Sequence, residues 1–138
     1  MSSTAPDVSL AVVARPESVA LVRQALAGMC EALGVSERLG DDVRIAVTEA
    51  CTNAIVHAYE TDADAQVEVE ASARNSQLTV LVRDMGRGMG RWSEAGGLGL
   101  GLPLIAALTQ NVEVRAGPGE SGTEVVMTFD LEAHRDDG

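Results

Sequence analysis

The chain has 138 residues, 46% of them hydrophobic, and carries a formal net charge of −11. That length supports one domain with a real core, and the apolar fraction excludes a disordered chain. The negative charge repels a phosphate backbone, and three aromatic side chains (Tyr59, Trp92 and Phe129) are too few to stack single-stranded bases, so nucleic acid is not expected as a direct partner.

The opening "MSSTAPDVS" has neither the charged nor the apolar region of a signal peptide, and no stretch approaches the roughly 20 apolar residues of a membrane span. A cytoplasmic protein without membrane contact is expected. Cys30 and Cys51 lack metal-ligand spacing and read as small buried thiols inside helices.

The first element is "VSLAVVA" (8–14), a β-branched apolar run with the character of a strand. It is apolar at almost every position, so either another chain or the protein's own helices should cover it. Pro16 suits the first turn of a helix, and Val19, Val22, Leu26, Met29 and Leu33 recur at helical spacing up to Gly34, a natural closing residue. Ser36 is placed to cap a second helix that runs to about Tyr59, with Gly40 as a possible kink or break. "AQVEVEASAR" and "QLTVLVRD" alternate as strands, and the "NS" between them predicts a hairpin. Seven of the 14 glycines fall between Met85 and Gly101, which marks a loop of demanding backbone geometry. "LPLIAALTQ" then forms a short helix, and "VEVRAGPGESGTEVVMTFDL" two more strands. Residues 1–6 and 133–138 read as frayed tails of a single domain. The order β-α-α-β-β-loop-α-β-β predicts an α+β fold: a two-layer sandwich whose mixed, mostly antiparallel sheet carries its helices on one face.

Three stretches carry the candidate chemistry. In "EACTNAIVHAY", Glu49 and Asn53 share a helix face one turn apart. A carboxylate there can take a proton from a hydroxyl, and an amide oxygen suits Mg²⁺; an exposed pair on a polar face is the plainer reading of the spacing alone. His57 extends the same face and alone reads as structural or solvent-facing. In "RDMGRGM", Asp84 ends an apolar strand where it can accept from an exocyclic amine, with Gly86 and Gly88 admitting a flat ring; a simple Asp-Gly turn is the alternative. In "GGLGLGLPLI", Gly97, Gly99 and Gly101 precede a helix, an arrangement that attracts phosphate or else serves as a hinge. No G-x-x-x-x-G-K-[ST] pattern is present, so this is not a Walker A loop.

Taken in order, these three stretches resemble the GHKL (histidine kinase-like, Bergerat-fold) ATPase superfamily. "EACTNAIVHAY", "VRDMGRGM" and "GLGLPLIAALTQNVEV" are similar, within it, to the anti-sigma-factor serine kinases, and the likeness runs from "VSLAVVARPESVALVR" to "GTEVVMTF". The resemblance implies ATP and Mg²⁺ as cofactors. It implies that Asn53 binds the Mg²⁺ that bridges the phosphates and that Glu49 is the base facing the attacking hydroxyl. Asp84 would hold the adenine amine, Gly86, Gly88 and Met89 would line the base pocket, and Gly97, Gly99, Leu100, Gly101 and Leu102 would wrap the phosphates. Thr123 matches a threonine beside the adenine.

The implied activity is transfer of the ATP γ-phosphate to a serine of an anti-anti-sigma (STAS-type) antagonist, together with sequestration of a sigma factor by a homodimer. Arg15 and Arg23 are candidates to meet acidic surfaces of that sigma factor. The chain departs from the family pattern where an arginine often precedes the second glycine box. It has "EAGGLG" there, with Arg87 and Arg91 the nearest cations. That departure keeps open a second reading, a nucleotide-gated binding module without kinase turnover.

Overall fold

The computed structural model describes residues 5–61, 65–84, 101–117 and 122–132. The elements follow the predicted order: β1 (Val8–Val13), α1 (Ser18–Leu33), α2 (Glu37–Thr61), β2 (Gln66–Arg74), β3 (Gln77–Asp84), α3 (Gly101–Leu108), β4 (Asn111–Ala116) and β5 (Thr123–Asp130). The fold is α+β, a five-stranded sheet in the order β1-β2-β3-β5-β4 with the helices packed on it.

All four strand pairings are antiparallel, so the mixed sheet expected from the sequence has no parallel pair among the described residues. The reason lies in the connections. β2 and β3 form a hairpin, and β5 returns between β3 and β4 rather than beside its sequence neighbour alone.

The alternation of each strand separates two faces. Val67, Val69, Leu78, Val80, Val82 and Val125 are buried toward the helices, while their sequence neighbours point to the opposite side. α1 packs on β1, α2 on β2, β3 and β5, and α3 on α2 and β4. The core is aliphatic apart from Phe129, as the scarcity of aromatic residues requires. β1 is an edge strand whose Val8, Leu10 and Val12 join this core, while Ser9, Ala11 and Val13 are exposed. Its inner side is thus covered by the protein's own helices.

Local chemistry explains the element ends. Gly34 closes α1 in the left-handed region (φ 71°, ψ 29°) and donates its N–H back to the helix. Ser36 caps α2, its Oγ accepting from the Leu39 N–H at 3.1 Å. Asn75 (φ 55°) and Ser76 (φ 63°) form the β2–β3 turn, both left-handed as a two-residue hairpin of type I′ requires. Serine is an unusual occupant there. Its carbonyl accepts from Leu131 N–H at 2.9 Å and its hydroxyl donates to Glu132 at 3.0 Å, which ties the turn to the end of β5.

Gly40, by contrast, does not break α2, which runs as one helix from Glu37 to Thr61. Its N–H donates to the Ser36 carbonyl at 2.9 Å, an ordinary first helical bond. An isolated glycine in the second turn costs helix propensity without forcing a stop.

These two glycines should respond oppositely to alanine. Nothing lies within 4 Å of a Cβ at either position except a Val35 methyl at 4.0 Å from Gly40. Gly34→Ala should then destabilise by about 1 kcal/mol through left-handed strain alone, whereas Gly40→Ala should stabilise by about 1 kcal/mol through helix propensity. Urea unfolding of the two variants measures both.

Candidate functional site

The inward face of the sheet carries three core residues on β3 (Leu78, Val80, Val82) and, two positions further, Asp84. The strand's period of two therefore forces that carboxylate into the helix-covered side at the strand end, where it is 1% exposed. β5 does the same in reverse. Thr123 opens the strand on the inward side, ahead of Val125, Met127 and Phe129, and is also 1% exposed. The antiparallel register sets Asp84 and Thr123 directly opposite each other.

Above this face lies α2. Ala46, Ala50, Ala54 and Ala58 recur every fourth residue, all at 0–1% exposure, and their small side chains let the helix approach its neighbours closely. Glu49 and Asn53 flank this ridge one turn apart, each half-buried. A helix that looks built for burial thus carries two polar groups along one margin of its buried side.

Two buried polar atoms have no hydrogen-bond partner among the described residues: Asn53 Nδ2 and Thr123 Oγ1. A polar group left so costs about 1–3 kcal/mol, and buried groups of this kind are otherwise nearly always satisfied. Their presence at two of the sequence-predicted positions points to a polar ligand. Either end of the Asn53 amide can serve it, the nitrogen donating to a phosphate oxygen or the oxygen ligating a hard cation. No group of three or more His, Cys, Asp or Glu side chains among the described residues could hold a metal ion unaided.

The structure thus brings Asp84 and Thr123 together and places Glu49 and Asn53 on the helix above their sheet. Gly101 is the first residue of α3, and Leu102 packs against the core. Gly86, Gly88, Met89, Gly97, Gly99 and Leu100, with Arg87 and Arg91, lie outside the described residues, as does the side chain of His57. A 340 Å³ cleft between α1 and α2, lined by Leu26, Cys30 and Val43 among others, includes none of the candidate residues, nor does a 290 Å³ cleft by Gln110 and Phe129. Cys30 and Cys51 are free and buried as expected, and burial pushes the Cys51 thiol up to about 12. No helix among the described residues is long and apolar enough to cross a membrane.

One feature was not anticipated from the sequence. On the opposite face of the sheet, Glu68, Arg83, Glu124 and Arg115 stand side by side on β2, β3, β5 and β4. Arg83 donates to Glu68 through Nη1 and to Glu124 through Nε, each at 2.6 Å, and Arg115 Nε donates to the other Glu124 oxygen at 2.8 Å. Only the alternation of charge within each strand hints at this row; the pairing itself needs the register. Burial alone would raise the Glu124 pKa, but the hydrogen bonds from Arg115 and Arg83 outweigh it and hold the carboxyl below the ordinary glutamate range.

Residues 12–129 match the Histidine kinase-like ATPase domain. The chain is 34% identical to the serine-protein kinase RsbW of Bacillus licheniformis, over all of this chain and 94% of that relative. It is 32% identical to the RsbW of Bacillus subtilis, covering 99% and 93%, and 32% identical to that of Listeria monocytogenes, covering 93% and 89%. Among solved structures, the RsbU and RsbW domains of a Mycobacterium tuberculosis protein superpose with a TM-score of 0.67 at 23% identity, over 91% of this chain and 33% of that one. The chain belongs to the histidine kinase-like ATPase family.

Because the folded pKa of Glu124 is depressed, its contribution is complete above the unfolded glutamate pKa and disappears as pH falls through the folded value. Glu124→Gln should cost about 2 kcal/mol at neutral pH, the value of a hydrogen bond to a charged partner. The deficit should shrink on acidification. Urea unfolding of both proteins from pH 7 downward measures it.

Proposed function

We propose that the protein is a serine-protein kinase that binds ATP between α2 and the Asp84–Thr123 end of the sheet. The carrying observation is the pair of unpartnered buried atoms, Asn53 Nδ2 and Thr123 Oγ1, in a chain that matches an ATPase domain over residues 12–129. Its relatives over nearly their full length are serine-protein kinases, which supplies the acceptor class.

In this reading the Asp84 carboxylate accepts from the exocyclic amine of adenine and the Thr123 hydroxyl completes the polar edge of the base site. By the family resemblance, Gly86, Gly88 and Met89 would line the ring, and Gly97 to Leu102 would wrap the phosphates. Asn53 would hold Mg²⁺, which would neutralise phosphate charge when bound. Glu49, one turn earlier, takes the proton from the serine hydroxyl. The serine oxygen forms its bond to the γ-phosphorus as the bond from phosphorus to the β–γ bridging oxygen breaks, and ADP leaves with that oxygen's electron pair. Holding the alcohol, base and phosphate in place accounts for most of such catalysis, so a lysine is not required.

The sequence resemblance extends the proposal to the partners. The serine belongs to an anti-anti-sigma antagonist, and a dimer of the kinase holds a sigma factor. The full-length likeness to proteins named as kinases favours turnover over the alternative of a nucleotide-gated module.

Glu49→Ala should lower phosphate transfer from ATP to the antagonist by about 10²–10⁴-fold while ATP binding stays intact, the range for loss of a general base. Asn53→Ala should lose the magnesium-dependent part of ATP binding. Radiolabel transfer and calorimetry read these separately. Undiminished transfer by Glu49→Ala would remove it from the reaction, and a wild type that binds ATP yet transfers nothing would leave the binding-module reading.

A further inference from the structure

We propose that Arg83 and Glu124 are positioning residues for the base-reading pair, acting from the far side of the sheet. The proposal rests on the nucleotide reading above. Arg83 immediately precedes Asp84, and Glu124 immediately follows Thr123. In the register, Arg83 pairs with Glu124 as Asp84 pairs with Thr123. The period of two turns one pair outward and the other inward, so the two pairs are adjacent rungs of one ladder facing opposite ways.

The outward rung is unusual for the face it occupies. Glu124 has a side chain only 6% exposed, although it lies on the side away from the helices. It is enclosed by two guanidinium groups, and Arg83 itself, at 18%, is clamped between Glu68 and Glu124. β2, β3, β5 and β4 are thereby joined by side chains in one row, at the last outward position of β3 and the first of β5.

Stability alone is a weak reason for such a row. Desolvating charges is costly, and an apolar row of similar volume often holds a sheet as well or better. What a forked guanidinium adds is geometry, because its donors fix both the spacing of neighbouring strands and their lengthwise register. A slip of one residue would carry Arg83 off Glu124 and turn Asp84 away from the helix-covered side. Asp84 is the final residue of β3 and Thr123 the first of β5, so any fraying from that end displaces both before it reaches the core. The charged rung lies directly behind them and resists that displacement. Hydrogen bonds to a base weaken steeply with distance and angle, so a small loss of register should appear in base recognition before it appears as unfolding.

The test compares ATP with inosine triphosphate, whose base has an oxo group in place of the amine that Asp84 is read to accept from. Calorimetry on the full chain, well below its melting temperature, gives both affinities for wild type, Glu124→Gln and Arg83→Met. Amide hydrogen exchange at Asp84 and Thr123 gives a readout without nucleotide. Each variant should bind ATP about tenfold more weakly, one hydrogen bond to a charged group, with inosine triphosphate affinity unchanged and exchange faster at Asp84 and Thr123 than in mid-sheet. The proposal is overturned if ATP and inosine triphosphate weaken equally, if the preference for ATP survives, or if exchange rises uniformly across the sheet. A wild type that does not prefer ATP to inosine triphosphate refutes the adenine-reading role of Asp84 and Thr123 and the proposal with it, whereas a preference that survives in both variants overturns the positioning claim alone.

Discussion

The antiparallel register between β3 and β5 is the constraint on which the rest of the molecule depends. Strand alternation decides which side chains face the helices, and the pairing of the two strands decides which of those meet. In this register the same alternation that buries Val80, Val82, Val125 and Met127 delivers Asp84 and Thr123 to adjacent inward positions at the sheet end. A one-residue slip would expose the core and disperse the site together. Packing and function are therefore stabilised by the same set of hydrogen bonds.

α2 supplies the other half. Its ridge of four alanines gives up the larger burial that leucines would bring, and in exchange the helix lies close to its neighbours with Glu49 and Asn53 along the margin. Two unpartnered buried atoms then remain, one on the helix and one on β5. Each such group carries a cost that a polar ligand can remove. The acidic surface fits this division of labour. The net charge of −11 works against phosphate binding at long range, so the proposed nucleotide site depends on short-range contacts.

Much of this was legible from the residues because the signals were local. Apolar patterning and turn residues located the eight elements among the described residues. Gly34, Ser36 and the Asn75–Ser76 pair marked ends and turns because each satisfies a backbone requirement within a few residues. Glu49, Asn53, Asp84 and Thr123 were each ambiguous alone, and only their order along the chain singled them out. The possible break at Gly40 did not occur, because its cost to a helix is small enough for neighbouring packing to override. The position of β5 between β3 and β4 was not legible, since it depends on pairing across 38 intervening residues between Asp84 and Thr123. The charged row was hidden for the same reason. Glu68, Arg83, Arg115 and Glu124 look like ordinary solvated charges until three separate registers align them.

In the proposed mechanism, adenine falls to Asp84 with Thr123, the metal to Asn53 and the acceptor to Glu49. A crystal structure with magnesium and a non-hydrolysable ATP analogue tests it most directly. The account predicts the adenine amine on the Asp84 carboxylate beside the Thr123 hydroxyl, magnesium on the Asn53 amide oxygen, and Glu49 facing the open side of the γ-phosphate. An adenine ring bound away from β3 and β5, or a metal with no contact to Asn53, would contradict it.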